Sequence, residues 1–162
     1  MEIGYGSDFD EAHCDFFRRA RLSTWMLVED EIDIRNVVKV MFQVWGHKVL
    51  EFSNGRDAVA FIDSVDNGTF GGDLPEFLLS DIRMPGPNGN EIAQRMRKSE
   101  KLGKIPIILM TAFQLSEGQQ EEMRTNDGVN RIIFKPLPDF DRFHKIITEV
   151  LEKKYEPPQH SS

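Results

Sequence analysis

Short apolar runs alternate with longer amphipathic stretches between residues 24 and 154. Each run has four to six residues, which is typical of a strand buried on both faces of a parallel sheet. Five runs fit this description: 25–28, 48–52, 77–80, 105–110 and 131–134. Pro106 falls at the start of the fourth run, where a missing N–H is tolerated.

The stretches that follow these runs carry apolar residues three or four positions apart, which predicts helices. The first helix contains Ile34, Val37, Val38, Met41 and Trp45 and is predicted to stop at Gly46. Asn54 and Asp139 are suited to cap the second and last helices. Residues 91–100 predict the third helix, and the polar residues 116–126 predict the fourth. Five strands alternating with five helices predict an α/β fold whose parallel sheet is covered on both faces.

The two ends of the chain lie outside this alternation. In residues 1–23, Phe9, Phe16 and Phe17 could line one face of an extra helix that docks on the domain or on a partner. A loosely packed extension fits the same residues, and the sequence leaves both readings open. Residues 155–162, with two adjacent prolines, predict a disordered tail.

The composition argues against several classes of protein, including nonspecific nucleic-acid binders, disulfide-stabilised domains and membrane proteins. The 162 residues carry a net charge of −7, without the basic footprint of nonspecific nucleic-acid binding. The single cysteine, Cys14, excludes an internal disulfide. No apolar run approaches the length of a membrane span, and the acidic N-terminus does not resemble a secretory signal. A cytoplasmic protein without membrane contact is the expectation.

Polar side chains follow the predicted strands at their carboxyl ends. Glu29 and Asp30 follow the first strand, Asp81 the third, Thr111 the fourth and Lys135 the fifth. Ligands of open parallel sheets bind at this edge. Three neighbouring carboxylates favour a raised pKa or a bound cation, and oxygen ligands with room for water suit Mg²⁺. A carboxylate can then accept a phosphoryl group, while a hydroxyl and an ammonium bind its oxygens.

Four motifs carry a resemblance to a known family. They are MLVEDE at 26–31, LLSDIRMPGPNG at 78–89, ILMTA at 108–112 and FKP at 134–136. In this order and spacing they resemble the receiver domains of two-component response regulators, over residues 24–154. The resemblance implies a flavodoxin-like (βα)5 doubly wound sheet with strand order 2-1-3-4-5. It also implies a phosphorylation switch rather than an enzyme with a separate substrate.

The resemblance also implies a role for each site residue. Asp81 would accept a phosphoryl group from a sensor histidine kinase or a histidine phosphotransfer protein. Thr111 and Lys135 would contact that group, and the peptide between Lys135 and Pro136 would be cis. A magnesium ion would be bound by Glu29, Asp30, Asp81 and the backbone carbonyl of Arg83.

The sequence departs from the family at one position that matters for switching. The family commonly has an aromatic residue three positions before the lysine, and this chain has Ile132 there. Arg83 and Phe113 lie two residues after Asp81 and Thr111. We expect this bulky pair to hinder attacking water and to prolong the phosphorylated state.

Two other functions compete with the phosphorylation switch. A receiver-like scaffold that binds partners without phosphorylation would not need the complete set of site residues. An aspartyl phosphatase of the haloacid-dehalogenase type needs a second acid where this chain has Arg83. If the chain is the whole protein, the domain is expected to act on an unknown downstream protein or to relay phosphate rather than to bind DNA itself. Contact with that protein is expected over residues 114–134. The alternative is a piece of a larger regulator or hybrid kinase.

Overall fold

The computed structural model describes residues 23–153. The predicted N-terminal extension, apart from Ser23, and the predicted tail at 155–162 lie outside the described residues. The extra helix, the disordered tail and the limits of the domain therefore stay predictions. Among the helices of residues 23–153, none combines the length and apolar character that crossing a membrane requires.

Strands and helices alternate strictly along the described chain. The strands are β1 (Thr24–Val28), β2 (Lys48–Phe52), β3 (Pro75–Asp81), β4 (Ile107–Thr111) and β5 (Arg131–Phe134). The helices are α1 (Ile32–Val44), α2 (Gly55–Asp66), α3 (Gly89–Lys98), α4 (Glu117–Thr125) and α5 (Phe140–Glu152). All strand pairs are parallel, in the order β2-β1-β3-β4-β5. The flavodoxin-like prediction is confirmed.

The core forms one layer on each face of the sheet, because side chains alternate along each strand. Met26 and Val28 pack with α2 and α3, while Trp25 and Leu27 pack with α1 and α5. Helix α4 differs from the other four because none of its side chains is buried. A capping box between Ser116 and Gln119 closes its first turn.

Some element boundaries differ from the predicted ones. Strand β4 begins at Ile107 rather than at residue 105, since Pro106 has no N–H and joins the sheet only by accepting a hydrogen bond from Leu78 N at 3.0 Å. Helix α3 begins at Gly89 rather than at residue 91, because the Asn88 side chain caps it by accepting from Glu91 N at 2.9 Å.

Helix α1 uses only part of its apolar sequence for the core. Val38 and Phe42 are fully buried, whereas Val37, predicted among the helical apolar positions, is 52% exposed. Adjacent valines in a helix point about 100° apart, so only one of them can face the sheet.

A buried histidine closes the turn between α1 and β2. The His47 ring stacks on Trp25 with centroids 3.5 Å apart, and its Nδ1 is 2.9 Å from the Ser23 hydroxyl. Burial lowers the pKa of His47 to about 4, and the nearby His144 acts in the same direction. A hydrogen bond to the Ser23 backbone opposes this shift only in part. His47 is therefore neutral in the folded protein at neutral pH.

The depressed pKa of His47 predicts that the protein loses stability in mild acid. Between pH 6.5 and about pH 4 the unfolded state binds more protons at His47 than the folded state, so the free energy of unfolding falls as pH falls. The full effect is about 3 kcal/mol. Urea unfolding at several pH values, compared with His47→Phe, isolates it from other groups. A stability difference between the two proteins that is independent of pH would contradict this account.

Candidate functional site

Backbone pairing fixes the positions where the strands end. Glu29 N donates to Phe52 O at 3.1 Å, so the pairing of β1 with β2 continues one residue past β1. Lys135 N donates to Thr111 O at 2.8 Å and extends the pairing of β5 with β4 in the same way. Asp81 is the last residue of β3 and lies opposite Met110. The side chains at these ends consequently meet over one edge of the sheet.

Lys135 joins two of the acidic side chains. Its Nζ lies 3.1 Å from Glu29 Oε2 and 3.1 Å from Asp81 Oδ2. The Glu29 side chain is 0% exposed, and those of Asp81 and Lys135 are 10% and 12% exposed. Charges this far from water interact strongly, so the ammonium compensates two carboxylates that would otherwise repel each other.

A third carboxylate completes the cluster. Oxygen atoms of Glu29, Asp30 and Asp81 all lie within 4.8 Å of one another. Asp30 is exposed while the other two are buried, so the cluster is open to water on one side. Hard oxygen ligands with space for water molecules match the coordination of Mg²⁺. The predicted acidic residues are therefore brought together in a group that could bind a divalent metal.

The acidic cluster carries more negative charge than Lys135 can balance. Burial first, and the charge of Asp81 second, raise the pKa of Glu29 to about 7, although the Glu31 N–H and Lys135 act to lower it. Burial alone would lower the pKa of Lys135, but its contacts with Asp81 and Glu29 raise it above the usual value. One ammonium does not fully balance the carboxylates, which leaves a site suited to an added positive charge.

Thr111 lies at the same edge with a buried side chain. It directly follows Met110, the residue paired with Asp81, and its hydroxyl accepts a hydrogen bond from Phe113 N at 3.1 Å. The peptide between Lys135 and Pro136 is cis, as the resemblance implies.

Two glycines that sequence reasoning did not assign bring the loop after Asp81 close to its neighbours. A Cβ on Gly89 would overlap the backbone carbonyl of Asp81, and a Cβ on Gly55 would overlap that of Pro87. Gly89 N also donates to Ile82 O at 2.8 Å. The Asn-Gly pair before a helical pattern was an available signal for the start of α3, whereas the contact of Gly55 depends on the tertiary structure.

Arg83 and Phe113 meet across the two loops beside the site. The Arg83 guanidinium carbon lies 3.6 Å from the centre of the Phe113 ring, a cation–π contact. Phe113 is 48% exposed. The contact links the loop after Asp81 to the loop after Thr111, as the sequence positions of the pair suggested.

The position that departs from the resemblance is part of the core. Ile132 is buried and packs with the α2 and α3 layer, while Phe134 on the same strand is 41% exposed. An aliphatic side chain thus packs in the core at the position where the family commonly has an aromatic residue.

Known proteins share both the sequence pattern and the fold. The family model described as response regulator receiver domain matches residues 26–148. The phosphate regulon transcriptional regulatory protein PhoB of Pseudomonas aeruginosa is 36% identical over 114 residues. That match covers 70% of this chain and 45% of PhoB, so the chain spans less than half of this relative.

Two solved structures have the same fold. The chemotaxis response regulator CheY4 of Vibrio cholerae matches with a TM-score of 0.67 and 23% identity, over 80% of this chain and 98% of that one. The receiver domain of a sensor histidine kinase from Pseudomonas aeruginosa matches with a TM-score of 0.66 and 24% identity, over 81% and 98%. That structure has a magnesium ion coordinated in its active site cleft. With the family match covering most of the chain, the protein belongs to the response regulator receiver domain family of two-component systems.

Proposed function

We propose that this receiver domain is a phosphorylation switch, in which Asp81 accepts a phosphoryl group from a histidine kinase or a histidine phosphotransfer protein. The observation that carries the proposal is the contact of Lys135 with both Asp81 and the buried Glu29, 3.1 Å from each. Burying a carboxylate beside further acids costs folding free energy even when an ammonium pairs with it. Titratable groups in such surroundings are typical of functional sites. The family consists of signalling domains rather than typical enzymes.

The same cluster is proposed to bind the metal. Glu29, Asp30 and Asp81 supply carboxylate oxygens within 4.8 Å of one another, and the backbone carbonyl of Arg83 is the predicted fourth ligand. A bound Mg²⁺ would neutralise negative charge on the cluster and on an incoming phosphoryl group.

The transfer itself is a displacement at phosphorus. A carboxylate oxygen of Asp81 forms a bond to the phosphorus atom, the bond from phosphorus to the donor's imidazole nitrogen breaks, and the electron pair stays on the imidazole, which takes up a proton. Lys135, which contacts Asp81 Oδ2 before transfer, would pair with the phosphoryl oxygens after it, because the bonded Asp81 no longer carries a carboxylate charge. The Thr111 hydroxyl is proposed to turn from the Phe113 N–H toward the phosphoryl group.

Output is proposed to pass through residues 114–134. Helix α4 has no fully buried side chain and packs on the core through the partly buried Met123, so it is the helix that can shift at the smallest cost in core packing. Residue 132 is a buried isoleucine, so this output route does not use an aromatic ring at the position where the family commonly has one. The signal from Thr111 would reach a downstream protein through the loop beginning at Phe113 and through α4.

The metal assignment predicts that Asp30→Asn weakens Mg²⁺ binding by roughly tenfold or more, because one of three carboxylates is lost. Isothermal titration calorimetry measures the dissociation constant directly. Asp33→Asn removes the same charge from the first turn of α1, outside the cluster, and should leave binding nearly unchanged. Equal losses in both variants would show that only the overall charge matters.

The phosphoacceptor assignment predicts that one phosphate per chain is gained when the protein is incubated with Mg²⁺ and acetyl phosphate. Intact-mass spectrometry should show this gain in the native protein and not in Asp81→Asn. Asp73→Asn, at an exposed loop position, is the matched control and should still be phosphorylated. Absence of phosphate with acetyl phosphate and with histidine kinases would favour the scaffold function instead.

The contact between Arg83 and Phe113 predicts a long-lived phosphorylated state. Replacing both residues by alanine should speed loss of phosphate roughly tenfold, because water gains access between the two loops. Decay is followed by mass spectrometry after the phosphate donor is removed. The matched pair Arg142→Ala and Phe140→Ala, on α5, should decay at the native rate. A native decay rate in the Arg83 and Phe113 variant would overturn the role of this contact.

A further inference from the structure

Helix α3 holds the loop between α4 and β5 through the carboxylate of Asp127. Asn90 Nδ2 donates to Asp127 Oδ2 at 2.9 Å, and Gln94 Nε2 donates to Asp127 Oδ1. Asp127 is buried, with 6% of its surface exposed. Asn90 and Gln94 are four residues apart on α3, so their side chains lie on one face of the helix. Both carboxylate oxygens are thus bound by α3, in a contact here called the Asp127 clamp.

The residues that follow Asp127 in this loop are held by a guanidinium instead. Arg97 donates to the Gly128 carbonyl from Nε at 3.0 Å and from Nη2 at 2.7 Å, and Nη2 also donates to Asn130 Oδ1 at 3.0 Å. Its Nη1 donates to the carbonyls of Gly103 and Ile105. The planar guanidinium makes these five bonds in one fixed geometry. The stretch from Gly128 to Asn130 is therefore fastened to α3 and to the loop before β4.

A glycine with a left-handed backbone separates the two contacts. Gly128 has a φ of +70°, which favours glycine, and a Cβ there would overlap the Arg97 side chain. Asp127, on the α4 side of this glycine, is held by two side-chain bonds rather than by five. One of its donors, Gln94, is an exposed side chain, so water can take its place. The α4 side of the loop can therefore be released while the β5 side stays fixed.

The first residue of α3 rests on the backbone of Asp81. A Cβ on Gly89 would overlap the Asp81 carbonyl, and Gly89 N donates to Ile82 O at 2.8 Å. Asn90 follows Gly89 directly, so the side chain that binds Asp127 is next to the residue that contacts the Asp81 backbone. Close-packed contacts of this kind pass on a small displacement rather than absorb it. Two contacts therefore connect the candidate site to the loop between α4 and β5.

We propose that Asn90 and Gln94 are positioning residues of the switch, and that α3 couples the Asp81 backbone to α4 through the Asp127 clamp. This route does not pass through Thr111 or residue 132. It deepens the proposed function and rests on it for the step at Asp81. The existence of the clamp as the fastening of α4 does not depend on phosphorylation.

The clamp has the two arrangements that coupling between distant sites requires. It is closed in this structure, and it is open when Asp127 leaves its two donors. A phosphoryl group on Asp81 displaces the adjoining backbone and the first turn of α3. Both oxygens of Asp127 are bound, and hydrogen bonds weaken steeply when they are misaligned, so this shift opens the clamp. The end of α4 is then free to turn at Gly128.

The clamp is tested first by hydrogen exchange on the full, unphosphorylated chain. Asn90→Asp replaces a donor amide by a carboxylate of the same shape, which repels Asp127 and opens the clamp. Backbone exchange over residues 117–127, followed by mass spectrometry, should become roughly tenfold faster through local opening. Unchanged exchange in β1 and β3 verifies that the variant is folded. A native exchange rate over residues 117–127 would overturn the proposal.

A double variant restores the clamp with one donor and one acceptor interchanged. With Asn90→Asp and Asp127→Asn together, the amide at 127 donates to the carboxylate at 90, and its oxygen still accepts from Gln94. Exchange over residues 117–127 should return to the native rate. Asn36→Asp, which adds the same charge at an exposed position of α1, is the matched control and should exchange like the native protein. A double variant as fast as Asn90→Asp would contradict the clamp.

The coupling is tested by the same measurement after incubation with Mg²⁺ and acetyl phosphate, with the phosphate counted by intact mass. In the phosphorylated native protein, exchange over residues 117–127 should rise toward the rate of Asn90→Asp, and phosphorylated Asn90→Asp should show no further rise. An unchanged rate in the phosphorylated native protein, or an equal rise in both proteins, would overturn the coupling. A native protein that takes up no phosphate would contradict the proposed function and the coupling with it, whereas the unphosphorylated samples decide the clamp separately.

Discussion

The bridge from Lys135 to Glu29 and Asp81 is the interaction on which the rest of the site depends. Glu29 follows β1, Asp81 ends β3 and Lys135 follows β5. They are far apart in sequence and meet only when the whole sheet is formed. Glu29 is fully buried and Asp81 nearly so, so their charges are tolerable only with a cation between them. The parallel sheet supplies that arrangement because all of its strands end at one edge.

Much of this arrangement could be predicted from sequence, because it depends on periodicity and on strand ends. The apolar runs located the five strands, and the order of the acids, the hydroxyl and the lysine located the site. What could not be predicted depends on contacts distant in sequence. Strand β4 begins at Ile107 because Pro106 only accepts from Leu78 N and has no N–H to donate, and the exposure of Val37 is set by the direction in which α1 meets the sheet.

In the loops, too, features set by neighbouring residues can be predicted from the sequence, whereas contacts between distant residues cannot. An asparagine before a helical pattern identifies the cap of α3 from sequence alone. The stacking of Arg83 on Phe113 and the close approach of Gly55 to Pro87 each join two separate loops or elements. The departure from the family pattern at Ile132 can be identified from the sequence, but its effect on packing cannot. Only burial in the layer formed with α2 and α3 shows that Ile132 is a fixed part of the core.

Helix α4 has a consequence for how such a domain can change over evolution. It contributes no buried side chain, and its first turn is closed by its own capping box. Most substitutions on its surface therefore cost little folding stability, which comes from the two layers around the sheet. If the proposed output surface includes α4, the amino acids that contact a partner there can vary independently of those that keep the chain folded. Recognition could then diversify on α4 while the residues at the strand ends stay the same.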